Sequence, residues 1–400
     1  MKRIFFPIAI FVFFISCKNE KTGSSSVPAN IPSRRDSYGA VSERKKEFYK
    51  HFTGTIGIFP ITIDLVKVLL SKQADSKPIS SFIGYYYYDK YQKPIPLNST
   101  IDSTGNLILE EFSQDTVSTR FVGKINDDGS YTGNWTNFSS KITLPFEFKE
   151  NYSDGAIAFD LHSYDDSVKL WKNKKNSPLA HFDIQALLPS KNTDTNTTVF
   201  LKDKIFAQLQ GDSLGKSYAT MSLETLQKTQ RDSFFKSYFK TLKNEKPDKS
   251  GKNAVFMNYG QSSTMSIIFN EKGLLSIGYG NFSYTGGAHG IHATIVKTYD
   301  LANKKVLMLK DVFKPDFEKT LNAALEKAIR EKFNMKPEEP LNTHLFDNTI
   351  AYTTNFCLTK KGILFLYNPY EIAAYALGEI DLFIPFDELK SVLISNNSNY

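Results

Sequence analysis

TRFVGKINDDGSYTGNW, residues 119–135, decides how the first half of the chain is read. Thr119 to Ile125 is rich in β-branched and aromatic residues, Asn126-Asp-Asp-Gly129 is a strong turn signal, and Tyr131-Thr-Gly-Asn-Trp135 resumes as strand. The same rhythm extends on both sides. Upstream lie Ile58 to Leu70, the tyrosine run at Phe82 to Tyr88, Asn98 to Asp102, the turn Ser103-Thr-Gly-Asn106 and the strand Leu107 to Phe112; downstream lies Ile142 to Lys149. Strands punctuated by turns over residues 48–178 predict an antiparallel meander or small barrel. In strand geometry Tyr85 and Tyr87 face one way and Tyr86 and Tyr88 the other. They are read either as cross-strand packing or as a platform for stacking on sugar rings, and Trp135 and Trp171 carry the same two readings.

From residue 179 to the end at residue 400 the pattern is mixed. His181 to Pro189 is strand-like, helices fit Thr197 to Gln210 and Ser222 to Lys243, and strands fit Ser263 to Phe269, Gly273 to Ser283 and Ile291 to Asp300, with Val306 to Leu309 as a fourth. Pro315 is expected to open a helix to Phe333 whose Phe317, Leu321, Ala324, Leu325, Ala328 and Ile329 share one face. Thr353 to Leu358, Ile363 to Asn368 and Ile380 to Ile384 read as strands and Pro385 to Leu393 as a last helix. The expected fold class is α+β: the β-rich region, then a domain with an antiparallel sheet and packed helices.

Composition sets limits on function. Aromatic residues make up 14% of the 400 and the net charge is +7. The basic residues are scattered among acids, so there is no footprint for nucleic acid. Cys17 and Cys357 are the two cysteines, which excludes a disulfide framework, and Cys357 in Asn355-Phe-Cys-Leu358 reads as a small buried hydrophobe.

The N-terminus points to export. Lys2 and Arg3 precede an apolar run from Ile4 to Ile15, too short for a spanning helix and right for a signal-peptide core. The run ends Phe14-Ile15-Ser16-Cys17, which resembles a bacterial lipobox. Residues 1–16 are therefore expected to be a lipoprotein signal peptide, with Cys17 lipidated. Residues 17–47, polar and without periodicity, read as a flexible tether. The expected place is the cell envelope, on a membrane and facing the periplasm or the surface, with the outer membrane favoured.

The most conspicuous phrase is Gly286-Gly-Ala-His289-Gly-Ile-His292. Its glycines permit positive φ and close backbone approach. Two histidines three apart suit zinc only on a helix or tight loop and with a third ligand, which no HExxH or Cys cluster supplies, so no metal is assigned; a loop rim used in binding or a structural turn remain open. In Pro369-Tyr-Glu-Ile-Ala-Ala-Tyr-Ala-Leu-Gly378, Glu371 is expected to stabilise a turn rather than act as an acid. Gly211 to Ser217 is one residue short of a phosphate loop and follows a helix. Asp127-Asp128 and Asp165-Asp166 read as turns. No cofactor and no catalytic residue is assigned.

Three elements in order carry a resemblance. They are Tyr284-Thr-Gly-Gly-Ala-His-Gly290; Tyr299-Asp-Leu301 with Leu309-Lys-Asp-Val-Phe313 leading into the periodic helix; and Phe356, Gly362-Ile-Leu-Phe365, Pro369-Tyr-Glu-Ile-Ala373, Gly378 and Ile384-Pro385. Over roughly residues 181–392 the chain resembles the PdaC/RsiV-like family, found in a lysozyme-sensing anti-sigma factor and beside the catalytic domain of a peptidoglycan deacetylase. The resemblance implies an α+β, non-catalytic extracellular module that binds at the cell envelope. The expected function is binding of peptidoglycan-type glycan or of a protein such as a lysozyme-like hydrolase. An envelope-polymer-modifying enzyme using Glu371 or His289, and a structural assembly lipoprotein, are the alternatives. Tyr284, Gly286, Gly287, His289, Tyr370 and Glu371 are the candidate ligand-binding residues. Oligomeric state is not legible.

Overall fold

The structure is a computed structural model that describes residues 47–70, 79–101, 105–113, 116–153, 155–212, 215–247 and 256–394. Everything below lies in the compact unit Ile31–Tyr400. The expected signal peptide over residues 1–16, Cys17 and nearly all of the expected tether lie outside the described residues. No described helix is long and apolar enough to cross a membrane.

The first half closes into an eight-stranded antiparallel barrel. Its strands are β1 (Phe48–Ile56), β2 (Phe59–Leu70), β3 (Ile79–Tyr88), β4 (Ile95–Ile101), β5 (Leu107–Ser113), β6 (Thr116–Ile125), β7 (Tyr131–Asn137) and β8 (Ile142–Glu150). Each pairs with the next, and β1 also pairs with β8, Ile56 opposite Phe146 and Phe52 opposite Glu150. Closure satisfies the edge strands, which would otherwise template aggregation. The interior is packed with aromatic rings: Tyr131 lies 4.7 Å and Phe148 5.2 Å from Phe146, centroid to centroid. Phe146 fits because Gly123 and Gly133 face each other across β6 and β7, and a Cβ on either would fall within 3 Å of its ring.

The tyrosine run divides between two cores as strand alternation requires. Tyr86 points inward, 5.3 Å from Phe121. Tyr87 points out of the barrel and is fully buried against Phe269, 5.3 Å away. Tyr85 packs beside it and Tyr88 against the barrel core. Since these rings and Trp135 lie in packed cores, the sugar-stacking platform is overturned here in favour of packing.

The second half is built on a six-stranded sheet of order β14-β13-β12-β11-β10-β9, formed by β9 (Phe159–Lys169), β10 (Leu179–Pro189), β11 (Tyr259–Glu271), β12 (Leu274–Tyr284), β13 (Ile291–Asp300) and β14 (Lys305–Val306). The sheet takes its first strand from before residue 179, and Asp165-Asp166, expected as a turn, sit within β9. The sheet is also not wholly antiparallel. Between β10 and β11 the chain forms α1 (Thr195–Leu209) and α2 (Leu223–Thr241), and this crossover returns β11 parallel to β10. Asp194 and Ser222 cap the two helices by accepting from Thr197 N at 2.9 Å and Thr225 N at 3.1 Å. The helices cover one sheet face, burying Leu201, Ile205, Phe206 and Phe234 with Phe182, Ile184 and Ala186.

On the other face sits a three-stranded antiparallel sheet, β15 (Phe356–Leu358), β16 (Gly362–Tyr367) and β17 (Ile380–Pro385). Ser276 and Thr298 of the large sheet point toward it, and Ser276 donates to the Leu358 carbonyl at 3.3 Å. After the single turn α3 (Leu309–Val312), α4 (Glu318–Lys332) lays Leu321, Leu325 and Ile329 into the same core. The helix begins at Glu318 rather than Pro315, and the last helix, α5 (Phe386–Leu389), is shorter than expected. Leu309, expected in a strand, starts α3. Cys357 is a fully buried free thiol whose ionisation burial pushes up to about 12, as fits a small hydrophobe.

A buried polar network joins barrel to sheet. Asp64 Oδ1 accepts from Tyr49 OH at 2.6 Å and lies 2.8 Å from His51 Nδ1. Asn270 of β11 donates to Tyr49 OH at 2.8 Å and to Ile157 O at 2.7 Å, and its Oδ1 accepts from Ile157 N at 2.9 Å. Burial disfavours charge on the His51 ring, but the Asp64 carboxylate outweighs it and holds the ring above its ordinary value. A raised folded value means the contribution is fully present below the unfolded value of about 6.5 and fades as pH rises through the folded one. Urea unfolding across that window is expected to show stability falling as pH rises. His51→Asn is expected to remove that slope and to cost about 3–5 kcal/mol by stranding Asp64.

Candidate functional site

The sequence candidates meet at the end of the large sheet where β12 turns into β13. Tyr284 ends β12, is buried, and its hydroxyl donates to the Gly287 carbonyl at 3.0 Å, drawing the loop closed. Gly286 has φ +90° and Gly287 φ +106°. A Cβ on Gly286 would also fall 2.8 Å from the Phe256 carbonyl oxygen, so the loop needs glycine there for both conformation and space. Gly290 lies beneath the Phe282 ring, which a Cβ would meet at 2.3 Å.

The loop delivers His289 to the surface, where its ring stacks on Tyr375 at 4.2 Å and 23°. Its Nδ1 lies 2.9 Å from the Gly290 carbonyl. Tyr375 also donates to that carbonyl at 2.9 Å and meets His292 edge-on, 5.7 Å between centroids. Tyr370 lies 5.4 Å from Tyr375 and is 54% exposed. His289, Tyr375 and Tyr370 thus form a continuous row of rings on one rim, with His292 closing its inner side. A depression of about 220 Å³ lies beside His292, lined by Ser262, Asn281, Phe282 and Ile291.

Glu371 does what its sequence context suggested. Its Oε2 accepts from Asn368 N at 2.9 Å, and its own N–H donates to Asn368 O at 3.0 Å. The turn so fixed places Tyr370 in the left-handed region at φ +68°. The Asn368 side chain accepts from Thr294 N at 2.7 Å, and Asn355 accepts from Val296 N at 2.6 Å while donating to Thr294 O at 2.8 Å. These two asparagines pair β13's outer edge with the small sheet and thereby hold the two loops in register.

Five of the six candidates therefore contribute to one locality directly, as ring or as loop backbone, and Glu371 contributes as the brace of its turn. Tyr375, the hub of the ring row, was not singled out in the sequence. Its signal was faint: a second tyrosine five residues after Tyr370 in a phrase already judged unusual. Among the described residues no group of three or more His, Cys, Asp or Glu is placed to hold a metal ion. The site's chemistry is the exposed rings of His289 and Tyr370, imidazole nitrogens and backbone polar groups, suited to ring contact and hydrogen bonding with a neutral polar ligand.

An α+β module with this loop pair at one rim, preceded by a barrel, is the class the fold and site define. Residues 174–292 match the family model described as deacetylase PdaC, and residues 310–387 match DUF3298, a protein family of unknown function. These matches bear out the resemblance to PdaC/RsiV-like domains. The fold is similar to a crystal structure of a DUF3298-family member from Bacteroides fragilis, with TM-score 0.54 and 27% identity, covering 62% of this chain and 97% of that one. A DUF3298-family protein from Pseudomonas aeruginosa aligns with TM-score 0.43 and 18% identity, over 61% of this chain and 97% of that one. No curated protein matches the chain. The ring row spans both matched regions: His289 and His292 come from the first, Tyr370 and Tyr375 from the second.

Gly286→Ala is expected to cost about 1–3 kcal/mol in denaturant unfolding, since neither its φ nor the Phe256 carbonyl can yield cheaply. Gly290→Ala is expected to cost less, because the exposed Phe282 ring can swing aside.

Proposed function

We propose that the protein is a membrane-anchored lipoprotein of the bacterial envelope whose PdaC/RsiV-like domain binds peptidoglycan-type glycan at the row His289, Tyr375 and Tyr370. It acts by binding and not by catalysis. The observation that carries this reading is the row of rings itself, exposed at His289 and Tyr370. Sugar rings present flat C–H faces that pack on aromatic surfaces, and their hydroxyls pair with exposed imidazole and backbone groups. Glu371, the one carboxylate considered for acid–base work in the locality, already braces a turn, which favours binding over an envelope-modifying activity that would need it. The lipid anchor rests on the Lys2-Arg3 start, the apolar run and the Ser16-Cys17 junction.

The test is retention of residues 31–400 on insoluble peptidoglycan, with immobilised lysozyme as the second surface. Retention on peptidoglycan is expected, weakened about tenfold by Tyr375→Ala, equivalent to about 1.4 kcal/mol. Retention on lysozyme alone would replace glycan by a hydrolase as the ligand, and retention on neither would end the binding proposal. For the anchor, Cys17→Ala in the full chain is expected to move the protein from the membrane pellet to the soluble fraction.

A further inference from the structure

The opposite end of the molecule gathers hairpin tips from all three sheets. Within the barrel, Gly57 N donates to Pro145 O at 2.8 Å and Asp89 N to Pro60 O at 3.1 Å, joining the β7–β8, β1–β2 and β3–β4 hairpins. Gln92 then bridges outward: its Nε2 donates to Glu271 at 2.8 Å and its Oε1 accepts from Lys360 N at 3.0 Å. Leu301 N donates to Gly273 O at 2.8 Å, adding the β13–β14 tip to the β11–β12 tip. Five tips and the β15–β16 turn therefore form one contiguous surface.

That surface combines two features that solvent alone does not favour. Apolar side chains project from it: Ile58 is 85% exposed, Tyr91 58%, and Phe59, Phe138 and Ile142 between 42% and 49%. Lysines stand among them. Lys90 lies over the Tyr91 ring at 5.1 Å, and Arg120, itself paired with Glu110, lies over Phe138 at 5.1 Å. Lys93, Lys141, Lys272 and Lys361 are exposed. Burial and the neighbouring Lys272 charge lower the Lys360 ammonium, so like charges crowd here. Asp89 and Glu271 behind the tips are half-buried with carboxyls raised by burial, and the exposed Asp387 beside Lys361 is paired with Lys390. Lys141, Lys272 and Lys304 occupy left-handed turn positions at φ 55°, 51° and 51°, where glycine or asparagine would be less strained.

We infer that this end is a docking surface for an anionic lipid bilayer, the apolar tips entering the headgroup layer and the lysines meeting lipid phosphates. Protruding Ile58 and Phe59 have no use for a soluble polyanion, whereas apolar tips interleaved with lysine match the interface of a membrane. The inference does not depend on lipidation of Cys17. It is compatible with it, because 31 residues from Cys17 to Phe48 reach at most roughly 100 Å. Docked this way, the His289–Tyr375 rim lies at the far end of β12, roughly 33 Å from the bilayer.

Co-sedimentation of residues 31–400 with vesicles of equimolar phosphatidylglycerol and phosphatidylcholine, against phosphatidylcholine alone, tests this. Binding to the anionic vesicles only is expected, weakening as salt rises from about 0.1 to about 1 M. The triple change Lys90→Glu, Lys93→Glu and Lys141→Glu is expected to lower partitioning at least about tenfold, and Ile58→Ser, a single change at an exposed tip, is expected to lower it with charge intact. Lys172→Glu with Lys174→Glu, away from the tips, is expected to leave it unchanged. Absent binding, equal binding to neutral vesicles, or indifference to both tip variants overturns the inference. So does loss on charge reversal with no effect of Ile58→Ser, which would mark a polyanion site instead. Peptidoglycan retention by the tip variants keeps this outcome separate from that of the glycan reading.

Discussion

The arrangement depends on a carboxylate removed from water. Asp64 stands on the outer wall of the barrel, where an isolated strand would expose it, and is 1% accessible because Asn270 and the β-sheet behind it close over the spot. A charge so placed is tolerable only with partners, and His51 and Tyr49 supply them from β1. Asn270 ties the group to the large sheet and, through Ile157, to the segment entering β9. Val66 and Val68, also outward-facing on β2, add apolar contact with the core of the large sheet, and Tyr87 does the same through Phe269. Apolar contact alone would allow sliding; directional hydrogen bonds among four side chains on two modules specify one register. With that register set, the barrel's hairpin tips and those of the large sheet come level, and Gln92 can bridge them.

Much of this architecture was legible locally. The barrel strands after the first were visible because each combines β-branched or aromatic residues with a turn signal beside it, as Asn126-Asp-Asp-Gly129 does. Closure was left open between meander and barrel, since it rests on β1 pairing with β8 across most of a hundred residues, and no local signal records a partner so far away. β9 was missed because it is an edge strand with polar residues on both faces, Asp160, His162 and Asp166 on one and Asp165 on the other; Asp165-Asp166 has turn composition without turn context. The parallel β10–β11 pair followed from two helices whose existence was expected but whose crossover was not drawn from it. Alternation correctly separated Tyr85 and Tyr87 from Tyr86 and Tyr88, yet could not tell that the outward pair would be covered by a second module.

At the rim the contrast is sharper. The glycines were conspicuous because they break a strand pattern, and Tyr284, His289 and Tyr370 because they flank such breaks. Tyr375 lies 86 residues after His289 and reaches it only through a chain of tertiary choices: β13 pairs with the small sheet by way of Asn355 and Asn368, and Glu371 bends the intervening turn. Sequence pattern marks where backbone is unusual; it does not say which unusual segments will be neighbours. The braces themselves, two asparagines in strand-like or loop surroundings, look like ordinary turn formers until their backbone partners are seen.

The proposed ligand rim and the proposed docking end are linked through this geometry without touching. Strands β11, β12 and β13 run the length of the large sheet, so their tips at one end and the β12–β13 loop at the other are rigidly opposed. A ligand face carried at the far end of such strands cannot turn toward the surface on which the tips rest unless the sheet itself reorients. A barrel locked to the sheet through Asp64 prevents the tips from tilting independently. The polar junction, in which Asn270 of the large sheet closes over the barrel's own Asp64–Tyr49–His51 cluster, therefore fixes the distance between the hairpin tips at one end and the β12–β13 loop at the other.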